Sequence, residues 1–338
     1  MSRTSSGNPV SAVGVGGSRT GVVFGGPSPE HDVSILTGLQ AAHELSRAGA
    51  EVFGLYWSKR GVFHRVDASL EAQDFLEGVP RGAEELRLVA SSGGGFETSS
   101  RLGRARRLPV DVILNCCHGG PGEDGSLQAA LDLAGLPYTG PSAAGAAVGM
   151  DKLAFAGVVA AAGLPLLPRA LLDVDTRDLP FGGPYILKPR FGGSSLGVEV
   201  VEDLATAVAR LAVNVHLRNG AVIEPYRGDL FDLNVAVRSW PQLAVSAVER
   251  PLRSGPSNEI LQYSDKYVGS EGMASAPREL PAALPDALGK SIRDAALEVS
   301  LLCEVRGVAR VDFLSDGDSM YVNEVNTVPG SLARYLWV

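Results

Sequence analysis

The chain has 338 residues, 45% of them hydrophobic and 20% charged, proportions that suit a folded protein of two or three domains. Its net charge of −8 argues against a general affinity for nucleic acid or acidic membrane, and no stretch is apolar for long enough to span a bilayer. Three cysteines, two of them adjacent (Cys116, Cys117), form neither a disulfide framework nor a paired zinc spacing, which points to a reducing, cytoplasmic setting.

Residues 1–20 are small, polar and glycine-rich, without the apolar run of a signal peptide, and read as a flexible tail. Residues 21–24 form a short buried strand ending at Gly25-Gly26. Pro27-Ser28-Pro29-Glu30 then opens a helix to about residue 48, with Ser28 as N-cap and Pro29 in the first turn. Residues 52–57 are the next strand; residues 93–107, Gly/Ser-rich and then basic, read as an exposed excursion. Residues 110–114 are a further strand, followed by the turn-rich His118-Gly-Gly-Pro-Gly-Glu-Asp-Gly125 and a helix. Strand–helix alternation as far as Gly140 predicts a parallel α/β domain.

From residue 142 to about 213 the pattern changes to an Ala-rich helix, a strand at 185–188, a glycine loop and a strand at 198–201. A strand at 221–224 leads into a third region with more alternation, and a helix over 285–303 precedes the last strands. No internal repeat is visible.

Those last strands carry the most chemistry. Arg310 and Asp312 share one strand face, as do Glu324 and Asn326, with a turn at Ser315-Asp316-Gly317-Asp318 between them. Two carboxylates and an amide oxygen are a hard donor set suited to Mg²⁺ held with substrate phosphates, and an adjacent arginine balances developing charge. A two-residue turn at Asp316-Gly317 would pair Asp312 with Tyr321 and send Glu324 to the opposite face. A shared site therefore requires an odd loop or a bulge.

The loop Phe191-Gly192-Gly193-Ser194-Ser195-Leu196-Gly197 follows a strand ending in Lys188-Pro189. Its backbone N–H groups suit phosphate oxygens and Lys188 adds a point charge, although a plain surface turn has the same composition. It lacks the Gly-Lys-Ser/Thr ending of a P-loop, and Gly14-Val-Gly16 is no dinucleotide fingerprint. Glu30 near a helix start is equally a dipole-stabilising acid. His118, just after a strand, suits either ligand contact or a capped loop. Lys152 alone would be a surface lysine, and residues 263–267 a polar loop.

Taken in order, these stretches resemble the D-alanine–D-alanine ligase family of ATP-grasp enzymes. The likeness rests on Gly25-Gly26-Pro27-Ser28-Pro29-Glu30-His31-Asp32-Val33-Ser34, the His118 to Gly125 motif, Pro137-Tyr138-Thr139-Gly140 and Met150-Asp151-Lys152. It continues through Lys188-Pro189 with Gly193-Ser194-Ser195-Leu196-Gly197, then Lys266-Tyr267, Arg310-Val311-Asp312 and Glu324-Val325-Asn326-Thr327-Val328-Pro329-Gly330.

The resemblance implies an α/β, three-domain ATP-grasp fold, α+β in its ATP-binding part. Its expected divisions are an N-terminal parallel α/β substrate domain at 21–141, a central lid domain at 142–224 and a C-terminal ATP/Mg-binding domain at 225–338. It implies transfer of the ATP γ-phosphoryl to one amino acid's carboxylate, then attack by a second amine to give D-alanyl-D-alanine, ADP and phosphate for peptidoglycan synthesis. By the same matching, Lys152, Lys188 and Lys266 hold ATP, with Gly193 and Ser195 on its phosphates. Glu224, Pro225 and Tyr226 meet adenine, and Asp232 meets ribose. Glu30, Ser194 and Tyr267 form a hydrogen-bonded set at the first substrate, with His118 also on the substrate side. Arg310 and the Gly330 N–H stabilise the oxyanion, and Asp312, Glu324 and Asn326 bind two Mg²⁺ ions, with Mn²⁺ as an alternative. The partners implied are amino acids, ATP and a second copy in a homodimer, with no nucleic acid and no membrane.

The chain departs from the family pattern in three places. Where a serine-leucine pair holds the acceptor carboxylate, Tyr335-Leu336 stands here; the segment around Lys266-Tyr267 is shorter; and a final helix is missing after Val338. These departures leave open a related ligase making a different dipeptide or amide in specialised metabolism. A non-catalytic ATP-binding relative is the third reading.

Overall fold

Near-continuous apolar runs mark the strands of a sheet covered on both faces, and residues 19–25 and 51–57 fit that pattern. The computed structural model describes residues 17–98, 105–252 and 277–338. Its first sheet joins β1 (Arg19–Gly25), β2 (Glu51–Trp57), β3 (Phe63–Val66), β4 (Glu84–Val89), β5 (Gly95–Thr98) and β6 (Val112–Asn115) in the order β5-β4-β3-β2-β1-β6. β1 runs parallel to β2 and β6, so the expected parallel arrangement holds there; β3, β4 and β5 extend the sheet as an antiparallel meander.

Helix α1 (His31–Arg47) covers one face, packing Ile35 and Leu39 on Val22, Phe24 and Tyr56. After the single turn α2 (Gly120–Glu123), helix α3 (Ser126–Ala134) covers the other, with Leu127 and Leu131 on Val23, Leu55 and Ile113. At Gly25 φ is +89°, and a Cβ would run into the Trp57 carbonyl oxygen, so glycine is required where the chain leaves β1.

Three expectations change here. β1 begins at Arg19 rather than Gly21, anchored by Arg19 on Asp111 (2.7 Å). The excursion expected over 93–107 contains edge strand β5, because Phe96 is buried edge-on against Phe63. Helix α1 starts at His31 rather than Pro29: Ser28 Oγ accepts from the Glu30 N–H (3.1 Å) and donates to the His118 carbonyl (2.7 Å), which draws it away from capping.

The short strand β7 (Gly140–Pro141) leads to helices α4 (Ala143–Met150) and α5 (Lys152–Ala161), which bend by 103° at Asp151. That pair is apolar in composition, yet Ala146, Phe155, Ala156 and Val159 are buried in the protein. Among the described residues no single helix is long and apolar enough to cross a membrane. β8 (Ala170–Leu172), β9 (Tyr185–Pro189), β10 (Glu199–Val201) and β11 (Ala221–Pro225) form an antiparallel sheet in the order β10-β9-β11-β8. Helix α6 (Leu204–Val213), N-capped by Asp203, packs Ala207 on Leu187 and Ile223.

The last region comprises β12 (Phe231–Arg238), β13 (Ala244–Val245), the ribbon β14 (Arg250–Pro251) with β15 (Arg278–Glu279), helix α7 (Asp286–Leu302), β16 (Val305–Arg306), β17 (Val308–Ser315) and β18 (Met320–Asn326). β16 pairs with β7, and the main sheet runs β13-β12-β17-β18. Ile292, Ala296 and Val299 of α7 pack on Leu233, Val235, Val311 and Phe313, and Phe155 and Val159 of α5 join the same core.

The β17–β18 register answers the parity question. Ser315, Leu314 and Phe313 pair with Met320, Tyr321 and Val322, after which the register shifts so that Asp312 faces Glu324 and Arg310 faces Asn326. The turn over 316–319 is even, so it is the bulge that seats Glu324 beside Asp312. Asn323 is the extra residue.

Candidate active site

A large cleft opens between the β8–β11 sheet and the β12–β18 sheet, lined by Lys152, Lys188, Glu224, Asp232, Asp312 and Glu324 among others. Pro225, Tyr226, Gly193 and Ser195 also line it. The strand period explains Lys188 and Glu224. Lys188 lies opposite Val222 and Glu224 opposite Ile186 on antiparallel β9 and β11, close enough for long side chains to meet diagonally.

Glu224 is 1% exposed and each of its oxygens accepts from a cation. Lys188 Nζ donates to Oε2 (3.0 Å) and Arg169 Nε to Oε1 (2.7 Å). Burial alone would raise the Glu224 pKa, but Lys188 and then Arg169 outweigh it and hold the carboxyl below its usual value. The bulged Asn323 joins the group: its Oδ1 accepts from Lys188 (3.0 Å) and its carbonyl from Arg169 (3.1 Å). Arg169 also donates to the Lys152 carbonyl (2.7 Å).

Lys152 starts α5. Asp151 caps that helix through Leu153 N–H (3.0 Å) and Ala154 N–H (3.2 Å), and takes the Arg190 guanidinium bidentately. Burial pushes the Asp151 pKa up, but these donors, Arg190 first, bring it below the usual range. Lys152 Nζ then reaches the Gly192 carbonyl at 2.5 Å. Burial lowers its pKa, which Glu324 partly restores. The glycine loop holds Ser194 (φ +54°) and Ser195 (φ +57°) in left-handed conformations, a strained arrangement for two consecutive serines.

On β17, Arg310 donates bidentately to Asp312, Nε to Oδ1 at 2.6 Å and Nη2 to Oδ2 at 2.7 Å, and faces the Tyr335 hydroxyl with Nη1 (3.4 Å). Asn326 Nδ2 also donates to Asp312 Oδ2 (2.9 Å). Burial raises the Tyr335 phenol, and the Arg278 guanidinium stacks 4.6 Å from its ring centroid. Across the sheet, Glu249, Asn234, Asp312 and Glu324 form one polar row. Among the described residues no three His, Cys, Asp or Glu side chains gather as a metal site. The oxygen set that does gather is Asp312 and Glu324 with the amide of Asn326, hard donors that fit a divalent cation such as Mg²⁺.

A second, smaller cavity is lined by Glu30, His118, Glu123, Arg310, Glu324 and Gly330 among others. Glu30 is the N-cap residue of α1 but makes no capping bond with its side chain, which instead accepts from Ser194 Oγ. Gly119 leaves room for it: a Cβ there would meet Glu30 Oε2 at 2.5 Å. Both nitrogens of His118 are engaged by the protein, Nδ1 with the Val328 carbonyl (2.7 Å) and Nε2 with Thr37 Oγ1 (2.8 Å). Burial lowers its pKa. Its ring is thus tied to the turn that carries Gly330 and to α1, while His118 still lines this cavity. Burial, with help from the Glu30 charge, pushes Glu123 up to about 7.

The fold thus brings Lys152, Lys188, Gly193, Ser195, Glu224, Pro225, Tyr226, Asp232, Asp312 and Glu324 to one cleft, and Glu30, His118, Asn326 and Gly330 to its neighbour. Lys152, Gly192, Gly193, Arg310 and Glu324 line both, so the two spaces meet there. Lys266 and Tyr267 lie outside the described residues. Leu336 is fully buried against Ala236 and Ala333, so its side chain is core rather than an acceptor contact. Sequence reasoning missed Arg169, Asn323 and Glu123. Arg169 sits in no motif, whereas Glu123 lay inside one, and the need for a bulge already implied a residue such as Asn323.

Comparison with known proteins bears on the family and the fold. A family model described as the D-ala D-ala ligase N-terminus matches residues 19–141, and one described as the D-ala D-ala ligase C-terminus matches residues 171–335. A D-alanine–D-alanine ligase of Anaeromyxobacter sp. (strain Fw109-5) is 31% identical over 328 residues, covering 95% of this chain and 90% of the relative. One of Nocardia farcinica is 31% identical over 336 residues, covering 94% and 90%. Among solved structures, the D-alanine–D-alanine ligase of Helicobacter pylori superposes with a TM-score of 0.75 at 23% identity, covering 95% of this chain and 94% of its own. The VanG D-Ala:D-Ser ligase of Enterococcus faecalis gives 0.75 at 23%, covering 94% and 93%. These structural likenesses show the ATP-grasp fold, and with the sequence matches they establish that the chain belongs to the D-alanine–D-alanine ligase family.

Proposed function

We propose that this chain is an ATP-dependent ligase that joins two D-alanines through an acylphosphate, for peptidoglycan precursor synthesis in the cytoplasm. The observation that carries the reading is the meeting of the two cavities at Lys152, Gly193, Arg310 and Glu324. A nucleotide in the larger cleft presents its γ-phosphoryl at that junction, and an amino acid in the smaller cavity presents its carboxylate there. Catalysis of phosphoryl transfer needs little beyond positioning and charge stabilisation.

Adenine lies against Glu224, Pro225 and Tyr226; Pro225 lacks an N–H but keeps its carbonyl as an acceptor. Asp232 takes the ribose, while Lys152, Lys188 and the loop N–H groups of Gly193 and Ser195 take the phosphates, with Lys266 as a further phosphate ligand. Asp312, Glu324 and Asn326 hold Mg²⁺, two ions in this reading, whose role is to offset charge on the phosphate oxygens.

Glu30, fixed by Ser194 and joined by Tyr267, receives the first substrate's ammonium. The substrate carboxylate attacks the γ-phosphorus, the bond to ADP breaks and an acylphosphate forms. The second substrate's ammonium gives up a proton to solvent, and the resulting amine then attacks the acyl carbon. Arg310 and the Gly330 N–H donate to the resulting oxyanion, and phosphate leaves as the peptide bond closes. The division into units at 21–141, 142–224 and 225–338 and a homodimeric assembly belong to the same proposal.

The test is ADP release and product analysis with a panel of D- and L-amino acids. Dipeptide formed from D-alanine supports the reading; ATP bound without turnover on any amino acid overturns it. One observation favours a second reading, a ligase with another acceptor. Tyr335 places a bulky phenol beside Arg310 where the family resemblance puts a serine. Efficient turnover only with a second, different amine would select that alternative.

A further inference from the structure

The turn after β18 carries Gly330, and the groups flanking it are held by the first sheet's helix and loops. Val328 N–H and the Thr327 hydroxyl both donate to Glu123 Oε1, at 3.0 and 3.2 Å. The other Glu123 oxygen accepts from Gly119 N–H at 2.9 Å. On the far side of Gly330, Ser331 N–H donates to Thr37 Oγ1 at 3.2 Å.

His118 fixes the direction of the remaining bonds. The Val328 carbonyl can only accept, so His118 Nδ1 carries the proton in their 2.7 Å bond. In the neutral ring Nε2 is then an acceptor, and the Thr37 hydroxyl donates to it at 2.8 Å. The result is one ordered chain: Ser331 N–H to Thr37, Thr37 O–H to His118, His118 N–H to the Val328 carbonyl. Thr37, His118, Thr327 and Val328 are all at most 5% exposed. At that burial a donor left without its acceptor costs more than it would in open solvent.

We propose that Thr37, His118 and Glu123 are positioning residues that clamp the 327–331 turn and thereby hold the Gly330 N–H at the place where the oxyanion forms. None of the three needs to touch substrate. Their task is to fix a donor carried by one sheet from the framework of another, across a sequence separation of about 200 to 290 residues. A donor displaced by about an ångström loses most of its effect on a developing charge. The proposal rests on the ligase reading, because only there does Gly330 serve an oxyanion.

The experiment uses the full chain with ATP and D-alanine and compares the wild type with Thr37→Val, Thr37→Ser and Glu123→Gln. Thr37→Val removes the hydroxyl while keeping a branched side chain of similar size, and should lower kcat on the order of tenfold to a hundredfold with the KM for ATP unchanged. Thr37→Ser keeps the hydroxyl and should restore most of that loss. Glu123→Gln replaces one acceptor oxygen by a donor facing an N–H, and should reproduce the fall in kcat by an independent route, which covers the case of a Thr37→Val chain that does not fold.

Wild-type kcat in folded Thr37→Val or in Glu123→Gln overturns the clamp. So does a loss shared equally between kcat and the KM for ATP, or a Thr37→Ser as impaired as Thr37→Val. A wild-type chain that makes no dipeptide with any amino acid overturns the ligase reading instead, and the two failures are told apart by that control.

Discussion

At the scale of single residues, the site pairs groups whose charges would be costly alone. Asp312 is buried, and Arg310 grips both of its oxygens. Glu324 faces Asp312 across the strand pair and lies at the junction of the two cavities. Glu324→Gln keeps shape and loses charge, so it should leave the fold intact and lower Mg²⁺-dependent ADP release by about a hundredfold or more. Near-normal turnover would remove Glu324 from the metal set. Tyr335 makes a different demand. Its hydroxyl faces Arg310, and its ring packs under Arg278. Tyr335→Ser should change which acceptor amino acid is used while the KM for ATP stays within about twofold. An altered ATP affinity with the same acceptor profile would contradict that assignment.

At the scale of elements, the bulge in β18 does two things at once. It returns Glu324 to the face of Asp312 after an even turn, and it brings Asn323 within 3.0 Å of Lys188. A hydrogen bond to a charged group is worth about 1.5–3 kcal/mol. Asn323→Leu should therefore raise the KM for ATP about tenfold through Lys188, with metal-dependent turnover still measurable at saturating ATP. An unchanged KM would mean that Glu224 alone orients the lysine. Helix α5 is positioned in a comparable way. The Asp151 cap and its Arg190 partner fix the first turn, and Lys152 is the residue that this turn delivers to the glycine loop.

At the scale of the whole molecule, Arg169 joins separate pieces of the fold. It reaches Glu224 on β11, the Asn323 carbonyl on β18 and the Lys152 carbonyl on α5, and its side chain is 3% exposed. Removing it leaves Glu224 Oε1 and the carbonyls of Lys152 and Asn323 without their donor in a buried site, with Lys188 as the cation still on Glu224. Arg169→Ala should cost about 3 kcal/mol or more in stability, read as a shifted denaturant midpoint. A loss within about 0.5 kcal/mol, the range of an ordinary surface substitution, would show that the bridge is not structural. The same scale contains the contacts from Glu30 to Ser194 and from Glu123 to Val328, each joining residues far apart in the chain.

The sequence by itself determined the motifs, their order and the family they resemble, because each motif is a local string of residue types. It also determined that the β17–β18 pair needed an odd loop or a bulge for Asp312 and Glu324 to meet, since side-chain alternation is a property of the strand alone. It misplaced the start of α1 and overlooked β5, where a bond from Ser28 to His118 and the burial of Phe96 decide the outcome. Only the tertiary structure chose the bulge over the odd loop, turned His118 toward Val328, and exposed the parts played by Arg169 and Glu123. The physical reason is the same each time. Burial and hydrogen bonding across long sequence separations set what a polar side chain does, and neither is encoded in its neighbours along the chain.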